Sequence, residues 1–231
     1  MPKLSIIVPI YNEGKTVGEV LKRLLAIPFV GWDTEIIAVN DASTDTTEAV
    51  LEKFFSRVIV INLPKNKGKG GAVNEGLQKA TGDFAIIQDA DLECLPEEIP
   101  LLLKALGDIS LKKKIAVMGS REINTENKKR TTLTGVGARF VTSFINFLWG
   151  TSLTDALMCY KLFPRETFGY FSAGRFESEI LFVARLLQNG YHIIEVPVSY
   201  FPRSADEGKK IRYRDGLRMI TRIAKFRITG K

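Results

Sequence analysis

The chain has 231 residues, 45% of them hydrophobic, enough to bury a full core. Its formal charge of +7 is uneven: residues 1–199 hold 23 basic and 23 acidic side chains, and residues 200–231 hold 10 basic and 3 acidic ones. A neutral body with a basic tail points to a local anionic partner and excludes a protein that coats nucleic acid.

No Pro/Gly/Ser-rich linker, low-complexity block or internal repeat divides the sequence, so a single domain over 1–231 is expected. The first apolar run is too short for a signal peptide. No window approaches the roughly 18 apolar residues of a membrane helix, so a chain that is neither secreted nor membrane-spanning is expected. Cys94 and Cys159 fit no CxxC pattern and read as free buried thiols. His192, the single histidine, lies in an apolar stretch and reads as a strand residue, which argues against Ser-His-Asp or His-metal chemistry.

In chain order, Leu4–Ile10 is a β-branched apolar run, followed by Tyr11-Asn12-Glu13-Gly14 and by Val17, Val20, Leu21, Leu24 and Leu25 at helical spacing to about Ile27. Thr34–Asn40 predicts a second strand ending at Asp41, and a helix is expected from Ser43/Thr44 through Phe55. Arg57–Ile61 predicts a third strand. Asn66-Lys67-Gly68-Lys69-Gly70-Gly71 opens a helix over Ala72–Ala80; it matches neither GxxxxGK[ST] nor GxGxxG. Thr81-Gly82-Asp83 then turns into the apolar run Phe84–Ile87, which leads to Gln88-Asp89-Ala90-Asp91 with Glu93 beyond.

Strand-helix alternation predicts an α/β fold with a mostly parallel central sheet flanked by helices. Such sheets bind ligands at the carboxyl ends of their strands. Tyr11, Asn12 and Glu13, then Asp41, then Asp89 and Asp91 all arrive at that edge. A bare Asp-x-Asp is commonly a helix cap and a solvated acid. Here the convergence points to a nucleotide-type site, with hard oxygen donors suited to Mg2+ or Mn2+.

In the second half, Ile115–Gly119 predicts a strand, Arg121–Thr134 a polar surface loop, and residues 138–149 an apolar helix. That helix carries Phe140, Phe144, Phe147 and Leu148 at helical spacing, and either packs in the core or receives a lipid tail. A strand over Leu157–Phe163 and a helix from Arg175 to about Gln188 follow. The tail, Tyr213–Arg227, reads as a basic amphipathic helix with Leu217, Ile220, Ile223 and Ala224 on one face and Arg218, Arg222 and Lys225 largely off it. It either lies on an anionic membrane or packs on the sheet.

Four segments in order, Ser5–Glu13, Val39–Asp45, Asn66–Gly70 and Asp89–Glu93, resemble the signatures of family 2 glycosyltransferases. Gly119-Ser120-Arg121, Thr154-Asp155, Cys159–Phe163, Glu195–Tyr200, Arg203 and Gly208-Lys209-Lys210 narrow the resemblance to dolichyl- or polyprenyl-phosphate mannose (or glucose) synthases. The resemblance implies a GT-A fold, with residues 1–119 as the nucleotide-sugar and metal half and 120–231 as the acceptor half. It implies donor contacts at Pro9, Tyr11, Glu13, Val39, Asp41, Lys67, Asp89, Ala90 and Asp91, and a metal grip from Asp89, Asp91 and Glu93. Arg121, Arg130, Thr134, Arg203 and Lys210 become the contacts to an acceptor phosphate. Asp91, Asp155 and Arg121 are the expected catalytic set, with Glu179 a further acid. Asn40 stands where many relatives carry Asp, and Glu93 where some carry Gln.

The resulting expectation is inverting, metal-dependent transfer of a hexose, mannose favoured over glucose, from GDP-mannose or UDP-glucose to a polyprenyl or dolichyl phosphate. The enzyme would work in the cytoplasm, peripheral to a membrane surface, alone or with a membrane-protein partner. Alternatives are transfer to a hydroxyl of a surface glycan, which needs Asp155 or Glu179 as base, and an inactive membrane-bound binding module.

Overall fold

The computed structural model describes residues 1–107, 114–127, 133–172, 174, 177–203 and 213–230. Seven strands, β1 (Lys3–Ile10), β2 (Asp33–Asn40), β3 (Ile59–Asn62), β4 (Phe84–Ile87), β5 (Ile115–Ser120), β6 (Lys161–Pro164) and β7 (His192–Pro197), form one sheet in the order β3-β2-β1-β4-β6-β5-β7. Only β6 runs antiparallel to its neighbours. The expected α/β architecture is therefore the observed one.

Helices α1 (Val17–Ala26), α2 (Thr47–Leu51) and α4 (Ile99–Leu106) cover one side of the sheet, and α3 (Lys69–Lys79), α5 (Leu133–Trp149), α6 (Glu177–Gln188) and α7 (Tyr213–Thr229) the other. Strand alternation divides the core accordingly: Leu4, Ile6, Val8 and Ile10 pack with Val20, Leu21, Leu24 and Leu102, while Ile7 joins Val73, Leu77 and Phe182. Because both faces are buried, β1 reads as a continuous apolar run. Gly76 lets α3 lie directly on the sheet, since a Cβ there would come 2.7 Å from Ile7 Cγ2.

Several local expectations shift. The helix expected through Phe55 ends at Leu51 and tightens into a 3-10 turn over Glu52–Phe54. The strand expected over Leu157–Phe163 is confined to Lys161–Pro164, because a turn at Ala156 and Leu157, closed by the Met158 N–H on the Asp155 carbonyl, precedes it. Helix α3 starts at Lys69, three residues before Ala72, and α5 starts at Leu133, inside the stretch expected to be loop.

Helix α5 divides its apolar residues: Val141 and Ile145 are in the core, whereas Val136, Phe140 and Phe147 are exposed. On α7 the buried face is Met219, Ile223 and Phe226, and Leu217, expected on that face, is exposed. Phe226 stacks on Trp149 at 6.3 Å. Packing thus takes Met219, Ile223 and Phe226 of the tail helix and leaves Leu217, Ile228, Arg218, Arg222 and Lys225 exposed. His192 is an exposed residue opening β7, and both cysteines are free and buried, their sulfurs 3.4 Å apart.

The edge of the sheet away from the site is pinned by Glu35 on β2. Its carboxylate accepts hydrogen bonds from the Ser5 hydroxyl at 2.6 Å, the Thr81 N–H at 2.6 Å and the Thr81 hydroxyl at 2.8 Å, and pairs with Lys3 at 3.1 Å. One side chain thereby fixes β2 to β1 and to the turn that starts β4. Burial opposes its charge, but these bonds outweigh burial and hold Glu35 down to about 2. A depressed folded pKa contributes stability that is present above the unfolded value and is lost as pH falls through the folded one. Glu35→Gln should cost on the order of 2 kcal/mol in urea unfolding at pH 7. The gap should shrink between about pH 5 and pH 2; one that stays constant with pH would show that the carboxylate's charge is not what pins the strands.

Candidate active site

The strand order reverses between β1 and β4, and the crevice at such a reversal is where an open α/β sheet binds its ligand. Two loops on the β1 side are locked together by Asn12, which adopts a left-handed conformation at φ 54°. Its N–H donates to Ser43 Oγ at 2.9 Å, and its side-chain oxygen accepts the Thr44 N–H at 2.7 Å. Asn40 uses both ends of its amide, donating to Asn62 Oδ1 and accepting the Ser43 N–H, each at 3.0 Å. A carboxylate there would have no proton for Asn62.

Asp41 accepts the Lys67 N–H at 2.6 Å, tying the glycine-rich loop to the end of β2, and burial pushes its carboxyl up against that bond. The Lys67 ammonium pairs with Glu75 at 2.7 Å. Pro9 lies in register with Val39, whose side chain is in the core, so only the main chain of Val39 can contribute to a pocket. Tyr11 is partly exposed beyond β1, and Ala90 is buried.

On the β4 side, Asp89 is held by the Lys69 ammonium, with Nζ 2.7 Å from Oδ1 and 2.8 Å from Oδ2. Asp91 accepts the Glu93 N–H at 3.0 Å. Burial, reinforced by the charges of Asp89 and Glu93, pushes Asp91 up to about 7. Glu93 turns to the tail: its carboxylate accepts the Tyr200 hydroxyl and the Arg203 N–H, both at 2.8 Å, and its carbonyl accepts the Phe201 N–H at 2.9 Å. The Arg203 guanidinium spans the crevice, bonding the Asp91 carbonyl at 2.6 and 2.9 Å and Glu13 Oε2 at 2.9 Å.

Arg121 and Asp155 form a bidentate pair at 2.6 and 2.7 Å, with Arg121 stacked over Tyr200 at 4.9 Å. Burial works against the Arg121 charge, but Asp155 outweighs it and raises the guanidinium above its usual range. Glu195 accepts the Thr154 and Asp155 N–H groups at 2.7 and 2.9 Å, fixing the turn that carries Asp155. Glu179, 5% exposed, lies between Lys69 at 2.6 Å and Lys161 at 2.9 Å. Burial opposes its charge, yet the two ammonium groups hold it down to about 2.

Through Arg203 the fold joins Glu13, Glu93 and the main chain of Asp91, while Asp89 is held separately by Lys69; Arg121 and Asp155 lie beside Tyr200, which joins them to Glu93. Arg130 and Lys210 lie outside the described residues, as does the side chain of Thr134. Sequence reasoning gave no part to Lys69, Lys161 or Gln88, although Gln88 accepts the Tyr160 hydroxyl at 2.6 Å behind the carboxylates. The signal for Lys161 was a charge inside the apolar run Cys159–Phe163, since lysines are almost never buried without a partner.

Residues 5–171 match the model of Glycosyl transferase family 2. A dolichyl-phosphate beta-glucosyltransferase of Trichomonas vaginalis is 29% identical, over 97% of this chain and 73% of its own length. An undecaprenyl-phosphate 4-deoxy-4-formamido-L-arabinose transferase of Pseudomonas fluorescens is 28% identical, over 89% of this chain and 59% of its own. Glucosyl-3-phosphoglycerate synthase from Mycobacterium tuberculosis, crystallised with Mn2+, UDP and phosphoglyceric acid, superposes with a TM-score of 0.74 at 20% identity, covering 99% of this chain and 79% of that one. That likeness establishes the shared GT-A fold. With the family model spanning more than half of the sequence, from β1 past β6, this chain belongs to glycosyl transferase family 2.

Proposed function

We propose that the chain transfers a hexosyl group from a nucleotide diphosphate sugar to a polyprenyl or dolichyl phosphate, inverting the anomeric centre in one in-line displacement. The observation that carries this reading is that both carboxylates able to serve as base for a hydroxyl acceptor are neutralised, Asp155 by Arg121 and Glu179 by Lys69 and Lys161. An alcohol must lose a proton to a base. A phosphate acceptor is already an anion, and needs cations that hold it in line.

On the donor side, Asp89 and Asp91 fit a divalent ion. They are hard oxygen donors one residue apart, and burial, then the charges of Asp89 and Glu93, push Asp91 up, a repulsion that Mg2+ or Mn2+ relieves. Glu93, expected as a third ligand, has its carboxylate on Tyr200 and Arg203, and among the described residues no three metal-ligating side chains converge, so Asp89 and Asp91 would hold the ion with substrate phosphates completing its shell. Such an ion would stabilise charge on the leaving nucleotide. Glu13 and Asp41 are the anchors for base and ribose, with Pro9, Tyr11, Lys67 and the main chain of Val39 around them.

On the acceptor side, Arg203 already reaches the Asp91 carbonyl, and Arg121 is oriented by Asp155 and Tyr200. Arginine suits both positions because it keeps its charge and has five N–H donors, of which Asp155 engages two on Arg121. Arg130, Thr134 and Lys210 belong to the same proposed group. Residues 1–119 would handle the donor and 120–231 the acceptor within one working unit. Two relatives named for polyprenyl-type phosphates support the acceptor class. The glucosyl relative makes UDP-glucose the first donor to try, ahead of the GDP-mannose favoured by sequence.

No helix of the described residues is long and apolar enough to cross a membrane. The exposed Val136, Phe140 and Phe147 of α5, with the exposed Arg218, Arg222 and Lys225 of the adjoining α7, support peripheral contact with an anionic lipid surface.

Labelled sugar from UDP-glucose or GDP-mannose should appear on a short polyprenyl phosphate with Mn2+ or Mg2+, and Asp91→Ala should lower the rate about 100-fold or more. Lipid product from neither donor would overturn the acceptor assignment. Because Asp155 acts through Arg121, the double variant Arg121→Ala/Asp155→Asn should lose no more transfer than Arg121→Ala alone. Losses that multiply would return Asp155 to an independent role. Phe140→Ser with Phe147→Ser should weaken sedimentation with anionic phospholipid vesicles about tenfold or more; unchanged sedimentation would remove α5 from the lipid surface.

A further inference from the structure

Four side chains alternate in charge from the core to the crevice. The Lys161 ammonium, 1% exposed, contacts Glu179 at 2.9 Å; Glu179 contacts Lys69 at 2.6 Å; and Lys69 contacts Asp89 at 2.7 Å. A buried chain of ions contributes little net stability, because desolvation cancels most of the attraction. Its arrangement is informative for another reason. Lys69 stands at the start of α3, with Nζ between two carboxylates of unequal surroundings. Glu179 has a second cation in Lys161 at 2.9 Å, whereas Asp89 has the like charge of Asp91 beside it.

The backbone keeps this geometry fixed. Gly70 brings α3 against the start of α6, where a Cβ would meet Ser178 Oγ at 1.8 Å, and the Gly71 N–H donates to the Gly174 carbonyl at 3.3 Å. Lys69 and Glu179 are therefore held at contact distance by the packing of two helices. The ammonium can stay on Glu179 whether or not it also touches Asp89.

We propose that Lys69 is a positioning residue of the donor site, a captive cation that neutralises and orients Asp89 in the empty enzyme. When a divalent ion takes Asp89, the Lys69 ammonium is retained by Glu179. Lys69 thus competes with the metal, and Glu179 sets the strength of that competition by drawing Lys69 away. This rests on the proposed metal role of Asp89 and Asp91. It assigns Glu179 a part in metal affinity in place of the acid considered for the acceptor.

The two ends of the pair should then act in opposite directions. Free Mn2+ would be followed by electron paramagnetic resonance during titration of the purified chain, without nucleotide and with excess UDP or GDP. Lys69→Met should tighten Mn2+ binding about fivefold or more, the lower edge of ordinary coupling between sites. Glu179→Gln should weaken it by a similar factor, because Lys69 then pairs with Asp89 alone. Lys69→Arg, which keeps the charge, should bind Mn2+ within about twofold of the unaltered chain.

A merely structural role predicts the same sign for Lys69→Met and Glu179→Gln, and weaker binding in both would overturn the proposal. Equal affinity in Lys69→Met and the unaltered chain would do the same, and Lys69→Met remains informative if Glu179→Gln fails to fold. The Asp91→Ala control separates the two levels. Mn2+ binding that persists undiminished there, or that is absent from every form, takes down the metal site itself and this inference with it. Binding lost in Asp91→Ala but indifferent to Lys69→Met leaves the metal site standing and removes only the part given to Lys69.

Discussion

Two carboxylates one residue apart, Asp89 and Asp91, stand half-buried where a buried strand ends. Holding two acids together in partial burial is the constraint around which the crevice is arranged: burial first, and then the charges of Asp89 and Glu93, push Asp91 up to about 7. The surroundings answer with cations set at different depths. Lys69 reaches Asp89 from the start of α3 and is itself backed by Glu179 and Lys161; Arg203 arrives from the tail and takes the Asp91 carbonyl.

The second half of the chain is drawn into the same arrangement by main-chain bonds to acidic and amide side chains. Glu98 accepts the Ser199 N–H at 2.9 Å, Asn127 accepts the Tyr200 N–H at 3.0 Å, and Glu93 accepts the Arg203 N–H at 2.8 Å. Residues 199–203 are thereby laid along the loop that follows β4, which sets Tyr200 under Arg121 and Arg203 across the crevice. Arg121, Tyr200, Glu93, Arg203 and the main chain of Asp91 are thereby joined as one connected unit.

Much of the architecture was legible in the sequence because its signals are local. Runs such as Leu4–Ile10 and Phe84–Ile87 declare buried strands by composition, and the acids that follow them fall at the ligand-binding edge by topology alone. What could not be read depends on contacts between distant segments. The antiparallel insertion of β6, the shortening of the 157–163 strand and the choice of Met219, Ile223 and Phe226 as the buried face of α7 are settled by tertiary packing. Glu93 and Asp155 carry the residue types of a metal ligand and a base. Their partners, Tyr200, Arg203 and Arg121, lie at sequence separations where spacing carries no information. Lys69 sat in a recognisable motif, but only the meeting of α3 and α6 shows what it faces.

An acceptor that arrives as an anion needs cations, not a base. Offering the enzyme a short polyprenyl phosphate and the matching dephosphorylated polyprenol, side by side, with the same labelled donor and Mn2+, separates the two cases. Sugar is expected on the phosphate alone; comparable transfer to the free alcohol would overturn the phosphate reading, and would require one of the paired carboxylates to leave its cation and act as a base.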